Sequence, residues 1–164
     1  MFKIKKTLSL IIAVCLCFST LVPYASAKES TEYATREYII SEFVQSVGRN
    51  QLSESDAVLE IFSDSENISP EYRDDISRAI VGGILKGYED RTIRPTEPVN
   101  RVEAMVMLAR CVPELYAMGE AIEFTDVPDW AKEDIDYLSK AGLVKGYGDG
   151  TMGADDFITV EQVG

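Results

Sequence analysis

The chain contains no histidine, one tryptophan and three cysteines in 164 residues. The missing histidine excludes imidazole acid–base chemistry and histidine metal ligation. Cations are scarce as well: 16 Lys and Arg against 28 Asp and Glu give a formal charge of −12. That balance excludes a general nucleic-acid-binding surface, which needs a basic face toward phosphate. Long apolar runs are absent apart from Leu8 to Phe18, which is too short to span a bilayer comfortably. Lys3, Lys5 and Lys6 precede this run, and Ala25-Ser26-Ala27 follows it as a small-x-small cleavage site. The pattern predicts a secretion signal over residues 1–27 and a mature chain from Lys28, with no membrane segment after cleavage. The small residues that precede a lipidated cysteine are missing before Cys15 and Cys17. Removing the signal takes away three Lys and no acid, so the mature charge is −15, on 137 residues that suit one domain. Cys111 is then the one remaining cysteine, so no internal disulfide forms and the fold depends on its core.

What is present is a repeat. Gly83-Ile84-Leu85-Lys86-Gly87-Tyr88-Glu89-Asp90-Arg91-Thr92 returns 59 positions later as Gly142-Leu143-Val144-Lys145-Gly146-Tyr147-Gly148-Asp149-Gly150-Thr151. Six of the ten positions are identical. Phe62-Ser63-Asp64 returns as Phe124-Thr125-Asp126 at an offset of 62, so the first copy carries three extra residues before its helix. A fixed offset marks a repeat architecture and points to a binding module built from similar lobes rather than one deep catalytic pocket.

The spacing of apolar residues predicts helices throughout. Ala34 to Gly48 carries an apolar stripe of Ile39, Ile40, Phe43, Val44 and Val47, with Thr35 as N-cap and Gly48 as the C′ residue. Residues 49–55 read as a loop and Ala57 to Phe62 as one or two helical turns. Ser69-Pro70 reads as an N-cap followed by proline at the first helical position, opening a helix through Tyr72, Ile76, Ala79 and Ile80 that Gly82-Gly83 closes. Asn100 and Glu103 form a capping-box pair before a helix that buries Met105, Val106, Leu108 and Ala109 and stops at Pro113. Trp130, Ile135, Leu138 and Ala141 line the next helix, and Ile158 to Gln162 opens another. The sequence stops at Gly164, about one turn in, which predicts a truncated or degenerate last repeat. The expected fold class is all-α. Its parts are a partial repeat with linker over 28–61 (second helix only), a repeat over 62–123, and a repeat over 124–164 cut in its second helix.

These motifs resemble the S-layer homology (SLH) family, whose pattern runs Phe-x-Asp, a Trp-Ala helix, Gly-Tyr-x-Asp-Gly-Thr-Phe-x-Pro, and Ile-Thr-Arg-Ala-Glu. Here it reads Phe62-Ser63-Asp64, Gly87 to Pro95 and Val99-Asn100-Arg101-Val102-Glu103, then Phe124-Thr125-Asp126, Trp130-Ala131, Gly146 to Thr151 and Ile158-Thr159. The resemblance covers the chain after residue 33. It implies helix-loop-helix lobes in a pseudo-threefold bundle, here incomplete. It also implies non-covalent anchoring of exported proteins to secondary cell wall polysaccharide, often pyruvylated, at a Gram-positive cell wall or S-layer. The family's binding arginine maps to Arg36 and Arg101, and its third position is Val160. Tryptophan is replaced by Glu71 in the first full repeat, its glycine by Arg91, and Pro95 becomes Ala154 in the second.

The chemistry suits these residue types. A pyruvyl ketal carries a planar carboxylate, which a guanidinium binds through two hydrogen bonds. An arginine just after an N-cap lies beside helix N–H groups that favour anions. Trp130 either stacks on a sugar face or packs between lobes. Arg101 is either a ligand contact or a surface partner of Glu103 or Glu97. Tyr88 and Tyr147 read as loop pins. Asp90 and Asp149 read as acceptors of loop amides, and Asp64 and Asp126 as caps, with ligand contact the alternative for each. Gly148 to Asp156 lacks the carboxylate density of a calcium loop, and adjacent acids such as Asp74 and Asp75 do not make a glycosidase pair. No metal or cofactor is implied. The competing functions are a self-associating or adaptor module without sugar affinity, and an enzyme whose catalytic part lies beyond residue 164.

Overall fold

The helix starts organise the molecule. In the computed structural model, which describes residues 32–48, 52–113 and 119–163, three short segments precede three helices. Their central residues, Ala34, Val99 and Ile158, are fully or almost fully buried. Their backbones form a closed cycle: Ala34 N–H donates to Ile158 O (2.8 Å), Ile158 N–H to Val99 O (3.1 Å) and Val99 N–H to Ala34 O (3.1 Å). Three isolated antiparallel bridges, Tyr33 to Thr159, Thr35 to Pro98 and Asn100 to Phe157, flank this ring. The pseudo-threefold arrangement is therefore a hydrogen-bonded fact at its axis.

Helices α1 (Arg36–Ser46), α2 (Arg73–Val81), α3 (Arg101–Cys111), α4 (Lys132–Lys140) and α5 (Val160–Val163) surround the ring. Short 3₁₀ turns occur at Asp56–Ile61, Ser65–Asn67, Pro70–Tyr72 and Asp129–Ala131. Among the described residues there is no extended sheet, so the fold is all-α as the periodicity predicts. Thr35 and Asn100 cap α1 and α3, accepting from the N–H groups of Tyr38 and Glu103. Ser69 is not a cap: its hydroxyl donates to the buried carboxylate of Glu37, 2.7 Å away, and Pro70 opens a 3₁₀ turn instead. The predicted secretion signal, residues 1–27, lies outside the described residues, as do positions 49–51 of the predicted loop.

The helices pair out of phase with the sequence repeat. α1 packs on α2, and α3 on α4, so the second helix of one repeat meets the first helix of the next. The buried carboxylate of Asp75 on α2 accepts from Ser41 and Gln45 of α1. At the equivalent seam, Asp134 of α4 pairs with Arg110 of α3 at 3.5 Å. One apolar core runs through both seams and the ring.

The two signature loops are built alike. Phe62 and Phe124 lie against Gly87 and Gly146, where an added Cβ would collide with the ring and where φ is +68° and +66°. Side chains larger than hydrogen are excluded there on both counts. Asp64 accepts from the N–H groups of Ile93 (2.8 Å) and Arg94 (2.7 Å), and Asp126 from those of Met152 (2.9 Å) and Ala154 (2.8 Å). Burial pushes the Asp126 carboxyl up, but the surrounding backbone N–H groups outweigh it and hold the group below its ordinary value.

Asp64→Ala and Asp126→Ala should each cost roughly 2–4 kcal/mol, because two loop amides lose a charged acceptor. A urea midpoint unchanged in both variants would show that the clamps carry no stability. The Asp126 carboxyl titrates lower in the folded than in the unfolded chain. Its contribution is therefore complete above about pH 4 and is lost as pH falls through the folded value. Comparing acid unfolding of the parent chain with Asp126→Ala measures that difference.

Candidate functional site

Because α1 and α3 start at the ring, their first amides are tied to the following repeat. Arg36 N–H donates to Glu97 O (3.0 Å) and Glu37 N–H to Pro95 O (2.9 Å). Likewise Arg101 N–H donates to Asp156 O (2.8 Å) and Val102 N–H to Ala154 O (3.0 Å). The caps take the next amide in each case. This corrects the expectation of free helix N–H groups beside the arginines: anion affinity here must come from side chains.

The same tie delivers each arginine to the next repeat's tyrosine. The Arg36 guanidinium lies 4.7 Å from the Tyr88 ring centroid, and that of Arg101 lies 5.4 Å from the Tyr147 centroid. Arg36 Nη1 donates to the Tyr88 hydroxyl (3.0 Å) and pairs with Glu103 Oε1 (3.2 Å), and Tyr88 donates in turn to Glu103 (2.6 Å). Arg36 Nε is buried without a hydrogen bond. In the sister arrangement Tyr147 donates to Asp156 (2.8 Å), and Gln162 occupies the position of Glu103, where it accepts from the Thr159 N–H. Arg101 is buried, not a surface residue; Glu103 pairs with Arg36, and Glu97 lies 4.0 Å from Arg94. Burial pushes the Arg101 guanidinium below its usual value, opposed by Tyr147, Asp156 and Asp126.

Arg36 lines a groove of about 520 Å³. One wall is the loop from Ile84 to Glu89. The second is the face of α3 carrying Glu103, Val106, Met107 and Arg110, spaced i, i+3, i+4, i+7. Trp130, 59% exposed, forms the third wall. Trp130 is thus a surface aromatic and not packing between lobes. Arg36, Lys86 and Arg110 face Glu89 and Glu103 in this groove, and Asp134 pairs with Arg110 beside it. Arg101 is not among the residues lining it.

The four remaining candidates hold loops. Asp64 and Asp126 clamp backbone amides, as described above. Asp90 accepts from the Thr92 hydroxyl and N–H and pairs with Arg94 (3.0 Å), and Asp149 accepts from the Thr151 hydroxyl (2.7 Å) and N–H (2.9 Å). The Thr92 hydroxyl, then Arg94, holds the Asp90 carboxyl below its ordinary value, and the Thr151 hydroxyl does so for Asp149. None of these four aspartates lines the groove. Sequence reasoning missed Glu103 as the anchor of Arg36, and Lys86 and Arg110 as groove cations. The i, i+3, i+4, i+7 spacing on α3 was the available signal. Among the described residues, no cluster of acids and cysteine has the arrangement of a metal site.

Burial, followed by the bond to Glu103, raises the Tyr88 hydroxyl to about 12, against the opposing charge of Arg36. The protonated form is the one the fold favours. The contribution of Tyr88 to stability is therefore full below about pH 10 and is lost as pH rises through the folded value. Tyr88→Phe should cost roughly 1–2 kcal/mol in denaturant unfolding. It should also remove the last-titrating step of tyrosinate absorbance; persistence of that step would assign it elsewhere.

Comparison with known proteins gives the same picture. The family model described as "S-layer homology domain" matches residues 61–105 and 123–163. The chain is 37% identical over 92 residues to Cell surface glycoprotein 1 of Acetivibrio thermocellus, covering 52% of this chain and 4% of that protein. It is also 37% identical over 62 residues to the Cellulosome-anchoring protein of the same organism, covering 37% of this chain and 14% of that protein. A match to an Endoglucanase of Bacillus sp. (strain KSM-635) is 30% identical over 164 residues, covering 98% of this chain and 14% of the enzyme. The chain thus spans between 4% and 14% of the length of these relatives. With two matched repeats, a closed pseudo-threefold ring and the paired arginine–tyrosine contacts, this chain belongs to the S-layer homology domain family.

Proposed function

We propose that this domain anchors its protein at the cell surface by binding an acidic, pyruvylated wall polysaccharide in the groove of Arg36 and Trp130. The supporting observation is that residues from three successive repeats converge there: a cation, an exposed indole and an apolar floor. In this reading the ketal carboxylate meets the Arg36 guanidinium, whose orientation Tyr88 and Glu103 hold before ligand arrives. Trp130 stacks on a sugar face with its apolar side and leaves its N–H for a hydroxyl. Lys86 adds a second cation to the groove wall of an acidic protein, which favours approach of an anionic polymer. The names of the Acetivibrio relatives support a surface location, and no helix among the described residues is long and apolar enough to cross a membrane.

A second reading is self-association without sugar affinity. The exposed Tyr33 and Phe157, whose ring centroids are 5.3 Å apart beside the ring, favour it.

Co-sedimentation with purified cell walls separates the two. Arg36→Ala should weaken binding at least about tenfold, the loss of one charge-assisted contact. Arg101→Ala, outside the groove, should change it far less. Chemical removal of pyruvate from the walls should abolish binding by the parent chain. Undiminished binding to stripped walls would sink the carboxylate mechanism, and concentration-dependent dimerisation without wall binding would favour the second reading.

A further inference from the structure

Beside the groove lies a second depression of about 500 Å³, and the two share Lys86 and Tyr88. Its other walls are Glu60, Phe62, Arg91 and Ile61, the last 60% exposed. Arg91 departs from its sister loop. Its φ is +61°, in the left-handed region, where Gly150 stands at +91° in the second repeat. A side chain is disfavoured there, and strain of this kind persists where something else requires the residue. Arg94 has the same peculiarity, with φ +55° at the position of Gly153. That guanidinium is accounted for within the fold: it pairs with Asp90 and lies 4.0 Å from the Tyr88 ring centroid. Among the described residues, the guanidinium of Arg91 makes no hydrogen bond or ion pair. The loop thus carries an exposed cation at a site suited to glycine, with no folding role for its charge.

We propose that Arg91, with Lys86, forms a second anion subsite that extends the groove across Tyr88. The ligand is then an acidic saccharide of at least two units, with a negative group on each. One group meets Arg36, the next meets Arg91, and the exposed Ile61 covers an apolar sugar face between the charges. Lys86 borders both depressions and serves either group. This inference rests on the reading of the main groove as a wall-polymer site.

The test uses two probes: a single pyruvylated sugar, and a pyruvylated wall-polysaccharide fragment of several repeating units. Calorimetric titration of the parent chain, Arg91→Gly, Arg91→Lys and Arg36→Ala is combined with thermal unfolding of each. Arg91→Gly should unfold at a higher temperature than the parent, because the left-handed strain is removed. It should nevertheless bind the longer fragment about five- to tenfold more weakly and the single sugar unchanged. Arg91→Lys, which keeps the charge, should retain most of the affinity for the longer fragment. A gain in stability with a loss of affinity is a signature that a purely structural residue does not give. If Arg91→Gly binds the longer fragment as tightly as the parent while Arg36→Ala loses both probes, the second subsite falls and the main groove stands. If the parent binds neither probe, both fall.

Discussion

Three backbone hydrogen bonds, linking Ala34, Val99 and Ile158 in a cycle, set the geometry on which the rest of the molecule depends. Each residue sits just before a helix, so the cycle fixes where three helices begin and in which direction they leave the axis. The amides that an isolated helix would leave open are taken up by carbonyls of the neighbouring repeat. Packing then follows: α1 lies on α2 and α3 on α4, and the apolar core passes through the ring without interruption. The site is a by-product of this arrangement. An arginine at the first helical position, with its amide tied to the next repeat, places its side chain over that repeat's tyrosine, and this happens twice.

Equal scaffolds do not give equal sites. Around Arg36 the neighbours are Tyr88, Glu103 and the exposed Trp130. At the sister positions around Arg101, Gln162 replaces the acid. At the third position, Val160 removes the cation while keeping the backbone contact, donating to Glu32 O at 3.0 Å. Backbone connectivity has been retained where side-chain chemistry has diverged. That is expected if the ring is needed for folding and the individual grooves are not.

Local features were legible in the sequence for local reasons. Thr35 and Asn100 announce their helices because a cap acts within three residues, and the repeated Gly-Tyr loop is visible because glycine is needed twice, against Phe62 and Phe124. Ser69 misled because a hydroxyl before proline suits a cap equally well, and only the fold brings Glu37 to it. The exposure of Trp130 and the burial of Arg101 were equally invisible. Both depend on which repeat lies alongside, and the helices pair across repeat boundaries. Site residues were nominated by residue type in the motif. Those that meet in the groove are selected by contacts between repeats, which no periodicity within one segment records.

The ring also joins parts of the chain that are made far apart in time. Ala34 and Ile158 are 124 positions apart, yet each donates or accepts across the same small cycle. Loop-closure entropy for such a separation must be met before the last of these bonds forms, so ring closure is a late step. Until then, the first lobes have an open axis. The axis is therefore complete only once Ala34, Val99 and Ile158 have all met, and protection of the Ala34 amide from hydrogen exchange is the observable that reports the moment.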